Sequence, residues 1–71
     1  MMENKIHGEP HINGILGMSE VDAIKHLKIN DNVMRVINRD GTPLMVTMDV
    51  QRNRVNVHVR NGIVTRLENM G

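Results

Sequence analysis

The hexapeptide RVNVHV (residues 54–59) alternates polar and apolar side chains, and Asn61-Gly62 follows two residues after it. Side chains of a strand point to opposite faces in turn. Val55, Val57 and Val59 therefore share one face, and Arg54, Asn56 and His58 share the other. Asn-Gly is the strongest short-range hairpin sequence, because both central residues of a type I′ turn need positive φ. The chain is thus expected to reverse at 61–62 and return as a second strand through IVTRL, residues 63–67. A half-buried hairpin must place its valine face on something apolar, and the rest of the chain has to supply it.

SEVDAIKHLK, residues 19–28, is the segment suited to that role. Ser19 can cap the first amides, Asp22 occupies the capping-box position, and Glu20 and Asp22 suit the positive end of the helix dipole. Lys25, His26 and Lys28 lie toward the other end, and Val21, Ile24 and Leu27 form an apolar stripe with Ala23 at its margin. Asn30-Asp31-Asn32 ends the helix. VMRVIN, residues 33–38, is rich in β-formers between turn residues and reads as a buried strand. The expected fold is α+β: one helix packed on a small mixed β-sheet, with a long exposed loop.

With 71 residues there is room for a single small domain. Residues 1–11 read as a flexible N-terminal arm, polar and holding Gly8 and Pro10, and residues 12–71 as the domain. The chain has no cysteine and no aromatic residue, so the domain is disulfide-free and its core is aliphatic, with methionine filling irregular gaps. A monomer is expected of such a domain, with a dimer left open. The formal net charge of +1 is spread along the chain, which argues against a nucleic-acid partner, and no apolar run approaches a membrane span. The N-terminal residues lack the apolar centre of a secretory signal, so the compartment is undetermined: inside the cell, or outside it with a leader removed.

Four histidines, His7, His11, His26 and His58, show no metal-ligand spacing and are expected at the surface; no metal and no cofactor are implied. No nucleophile stands beside a base, and no glycine-rich loop is present to cradle a phosphate, so no catalytic residue is assigned and an enzyme is not expected.

One segment stands apart. GTPLMVTMDVQRNRVNV, residues 41–57, carries Leu44, Met45, Val46, Met48 and Val50 with neither helix nor strand periodicity until the alternation that starts at its end. As a connection, residues 39–52 are long for so small a domain, and such connections are usually functional or disordered. Arg54 lies on the face opposite the valines. If that face looks toward the connection, its guanidinium can hold loop carbonyls, Thr47 or the Asp49 carboxylate, and so stiffen the loop without a disulfide.

VTMDVQRNRVNV closely resembles the reactive-site segment of the potato inhibitor I family of serine-protease inhibitors, the eglin c and barley chymotrypsin inhibitor type. Val46, Thr47, Met48 and Asp49 match its Val-Thr-(Leu/Met)-(Asp/Glu) run, and Arg54-Val55 its following Arg-Val. ILGMSEVDAIKHL is similar to the family's approach to its helix and the helix itself, VMRVIN to its first strand, and the whole resemblance covers residues 12–71. Ile12 stands where the family has Trp, residues 41–46 are about two residues longer and include Pro43, and Asn56 replaces a second loop-supporting Arg. That Arg-x-Asn pattern is similar to a related set of small bacterial inhibitors. The resemblance implies a reactive bond Met48–Asp49, with Met45, Val46, Thr47 and Val50 contacting the protease. It implies loop support from Arg54, which would donate to Thr47 and Asp49, and from Arg52, Asn56 and Gly71. The implied partner is a serine protease of subtilisin, chymotrypsin or elastase type. Two alternatives stand beside it: a non-inhibitory interaction module whose loop binds another protein, and a plain domain that buries the Met45-to-Met48 segment in its core or a dimer interface.

Overall fold

The structure is a computed structural model, and it describes residues 4–71. The fold is α+β. A helical turn, α1 (Pro10–Asn13), is followed by α2 (Glu20–Lys28), and four strands complete the chain: β1 (Val33–Arg39), β2 (Thr42–Pro43), β3 (Arg54–Arg60) and β4 (Ile63–Met70). They form one sheet in the order β2-β1-β3-β4, with β1 and β3 parallel and both other pairs antiparallel.

The alternation in β3 is realised as expected. Val55, Val57 and Val59 are all buried, and they form a core with Val64 and Leu67 of β4 and with Ile12, Ile15, Ala23 and Leu27 from the helical side. Asn61 and Gly62 both take positive φ, closing the hairpin at the Arg60 and Ile63 pair. Beyond it β4 departs from simple alternation, since its inward residues, Val64, Leu67 and Met70, are three apart. The register explains the spacing: Val59 pairs with Val64 and His58 with Arg66, which skips Thr65, and Val57 pairs with Leu67 and Asn56 with Asn69, which skips Glu68. Each bulge adds one residue and returns an apolar side chain to the core face. The strand consequently runs to Met70, three residues past the expected 63–67.

Ser19 caps α2, its hydroxyl accepting from the Asp22 amide at 3.2 Å. The buried face is Ala23 and Leu27, one turn apart, while Val21 and Ile24 are exposed. The expected stripe of Val21, Ile24 and Leu27 is thus rotated: the helix approaches the sheet over its smallest side chain, which lets its backbone come close and turns Val21 and Ile24 outward. β1 is half-buried rather than buried, because only one of its faces meets the core. Met34 and Val36 pack there, and the other face carries Arg35.

The segment expected as a loose arm holds contacts where it is described. The Leu67 amide donates to Asn4 O at 2.9 Å, and Asn13 exchanges hydrogen bonds with both the amide and the carbonyl of Ile6. The expected boundary between residues 11 and 12 falls inside α1. Residues 1–3 of that segment lie outside the described residues.

Asp40 and Gly41 both have positive φ and form a second two-residue hairpin, which folds Thr42–Pro43 back on β1 as β2. The expected connection 39–52 is therefore shortened to a loop over residues 44–53. Its first foot is fixed by the Leu44 amide on Ile37 O at 2.9 Å. Its second is fixed by the Val33 amide on Asn53 O at 3.0 Å, with the Asn53 side chain donating to Asp31 O at 2.7 Å.

Candidate functional site

With α2 covering the valine face, the opposite face of β1 and β3 is left for the loop. Arg54 and Asn56 would be solvated on a bare sheet, yet they are only 8% and 4% exposed. The side chains that cover the core are apolar, and those that meet the loop are donors.

Arg54 uses the whole guanidinium. Nη2 donates to Asp49 O at 2.9 Å and Nη1 to Asp49 Oδ2 at 3.3 Å. Nε and Nη2 donate to Gly71 O at 3.1 and 3.0 Å. Gly71 is held in turn by its amide on Arg54 O, 2.9 Å. The side chain therefore ties the end of β4 to the middle of the loop through charge-assisted bonds in a fork that a lysine could not reproduce.

Thr47 is held from a different strand. Arg35, the Cα partner of Asn56 across the parallel ladder, donates from Nη1 to both Thr47 O and Thr47 Oγ1 at 3.3 Å. Its Nε donates to Asn56 Oδ1 at 2.8 Å. The expected bond from Arg54 to Thr47 is thus absent among the described residues, and Arg35 makes it. Alternation within VMRVIN places Arg35 opposite the core-facing Met34 and Val36, the one feature of the sequence that pointed to it; reading the run as wholly buried obscured this. Asn56 belongs to the network through Arg35 and is itself held by Asn69, whose Oδ1 accepts from Asn56 Nδ2 at 2.7 Å. Arg52 does not belong to it: it sits in the turn before β3, exposed and unpaired among the described residues.

The Thr47 hydroxyl also donates to Asp49 Oδ1, bridging over Met48. That bond, followed by the Arg54 contact, holds the Asp49 carboxyl below its ordinary range. A carboxylate whose pKa is lowered by folding contributes fully above its unfolded value, about 3.9, and is lost as pH falls through the lower folded value. Order in residues 47–50 is accordingly expected to persist down to about pH 4 and to decay only below it. Amide relaxation measured against pH checks this, and loosening already at about pH 5 would show that the carboxylate is not held.

Between these pinned neighbours Met48 is 96% exposed. Among the described residues no backbone–backbone hydrogen bond involves residues 45–50; the Thr47 and Asp49 carbonyls are taken by the arginines, and the carbonyls of Met45, Val46, Met48 and Val50 are left for a partner. Met45 is 102% exposed, and Val46 and Val50 are exposed as well, so this segment is not part of the core. Met45 differs from Met48 in its neighbours: Leu44 is held at the loop foot by its amide, no side chain from the sheet braces it, and Val46 makes no hydrogen bond among the described residues.

Three of the four histidines are occupied elsewhere. His11 and His26 stack with centroids 4.2 Å apart, each Nε2 on the other's backbone oxygen, and His58 lies 3.4 Å from Glu68. Among the described residues no three potential ligands converge on a metal position, and no helix is long and apolar enough to cross a membrane.

Comparison with family models, with curated proteins and with solved structures finds no match for the chain.

Proposed function

We propose that this protein is a serine-protease inhibitor that offers residues 45–50 as a substrate-like loop, with Met48–Asp49 as the reactive bond. One observation carries the reading: Met48 is fully presented between Thr47 and Asp49, and each of those neighbours is fixed by an arginine anchored in the sheet. A protease pairs with the backbone of its substrate as with an added strand. The Met45, Val46, Met48 and Val50 carbonyls are free for that, and Met48 would enter the primary specificity pocket. Enzymes whose pocket takes a medium apolar side chain are the expected partners, of subtilisin, chymotrypsin or elastase type.

Binding such a loop costs less ordering entropy than binding a flexible peptide. If the bond is cut, the braces keep the new amine close to the acyl group, so religation competes with hydrolysis. The resemblance of VTMDVQRNRVNV to the potato inhibitor I family supports the same assignment.

Titration of the purified protein against subtilisin and chymotrypsin, with mass spectrometry of the recovered chain, tests it. The expected result is stoichiometric inhibition with the chain intact or cut once, slowly, after Met48. Rapid cleavage without inhibition would overturn the reading and leave the loop as an interaction module for a different protein.

A further inference from the structure

The two arginines serve opposite sides of the Met48–Asp49 bond. Arg54 reaches only the Asp49 side, through its carbonyl and carboxylate. Arg35 bonds only the Thr47 side, through its carbonyl and hydroxyl, and its closest approach to Asp49 is a long 4.0 Å ion pair. They rise from different strands, and the loop feet at Leu44 and Asn53 are held by backbone bonds that do not involve Thr47. Among the described residues, no other side chain anchored in the sheet reaches the segment ahead of Met48.

We infer that Arg35 is a positioning residue that holds the acyl side of the reactive bond, and that Asn56 is the fixture that aims it. The guanidinium is suited to this because it is shared between rigid and movable partners. Nε is committed to Asn56, which is buried and itself bonded to Asn69, while Nη1 reaches out to the loop. Nη2 lies 3.5 Å from Gly71 O, a long contact at the atom where the Arg54 fork also ends, so both braces meet one anchor. A single ammonium could not bond Asn56 and Thr47 in this manner.

The division has a chemical consequence. Hydrolysis adds water across the Met48 carbonyl and the Asp49 nitrogen, and resynthesis expels it. For resynthesis the Met48 carboxyl and the Asp49 amine must both stay in place. Arg54 retains the amine and Arg35, through Thr47, retains the carboxyl. The role in resynthesis rests on the inhibitor reading above; the effect on loop order does not.

The test therefore has two readouts. Amide relaxation of the free protein reports order at Val46, Thr47, Asp49 and Val50 in the wild type, Arg35→Met and Asn56→Leu. Mass spectrometry reports how fast subtilisin nicks the loop in each. Arg35→Met keeps the apolar stem and removes the fork. It is expected to lower order at Val46 and Thr47 while Asp49 stays held by Arg54, and to speed nicking about tenfold, the scale of losing charge-assisted bonds. Asn56→Leu should give a smaller effect of the same kind, and the double variant should be no worse than Arg35→Met, since both changes release one guanidinium. If Arg35→Met does not fold, Arg35→Lys carries the same comparison with the charge retained. Unchanged order at Thr47, or additive effects of the two substitutions, would overturn the assignment. Relaxation decides this even if the wild type inhibits no protease, so failure of the inhibitor reading and failure of the brace are separable.

Discussion

Under the proposed function, Arg54→Ala is expected to convert the chain from an inhibitor into a substrate. The substitution removes four hydrogen bonds at once, two to Asp49 and two to Gly71. The two on Asp49 restrain the leaving-group side of the reactive bond. Their loss is expected to make cleavage after Met48 faster, by about a hundredfold at most. The bonds on Gly71 hold the end of β4 against β3, so the fold is also expected to suffer. A loss of about 2–3 kcal/mol in a domain of this size corresponds to a melting temperature lower by roughly 10–20 °C. The two effects are separated by comparing cleavage well below the melting transition, where both proteins are folded. Arg54→Lys retains the charge and is expected to recover stability better than loop protection, because one ammonium cannot serve Asp49 and Gly71 together. If cleavage of folded Arg54→Ala were no faster than that of the wild type, Arg54 would have to be regarded as a support of β4 alone.

The parts of this fold that the sequence declared were those with a local code. Alternating valines specified β3 and its buried face, Asn61-Gly62 specified the hairpin, and Ser19 specified the start of α2. Alternation put Arg54 opposite the valine face, where a solvated cation is the commoner outcome; its support of the loop was legible through the resemblance of VTMDVQRNRVNV to an inhibitor loop. Asp40-Gly41 carried the same hairpin chemistry as Asn61-Gly62 but lacked an alternating strand after it, so β2 and the shortening of the loop were hidden. What stayed invisible depended on pairing between distant segments. The bulges at Thr65 and Glu68 follow from the register of β4 on β3, and the contact of Arg35 with Thr47 needs the parallel ladder that sets Arg35 beside Asn56. The rotation of α2 onto Ala23 has the same origin: the helix packs where the sheet admits the closest approach, and a stripe counted along one helix does not report that.

Under the proposed function, Met48→Lys is expected to exchange the class of protease that is inhibited while leaving the scaffold alone. The side chain is almost wholly in solvent and touches no brace, so stability should change by no more than about 0.5 kcal/mol. In an apolar specificity pocket a lysine ammonium loses its water without gaining a partner. Even a partial penalty of roughly 3–4 kcal/mol weakens binding about two to three orders of magnitude. A trypsin-like pocket, with a carboxylate at its base, supplies the missing charge-assisted bond, and inhibition there should rise on a comparable scale. Met45→Lys is the matched control: it is equally exposed and carries the same charge on the same loop, but it stands three residues ahead of the braced position. Inhibition constants for chymotrypsin and trypsin with both variants read the register directly. A swap produced by Met48→Lys and not by Met45→Lys assigns the primary specificity residue to Met48. A swap produced only by Met45→Lys would move the reactive bond three residues toward the N-terminus, out of the span held by Arg35 and Arg54. The two arginines would then be supports of the sheet edge with no part in presenting the bond.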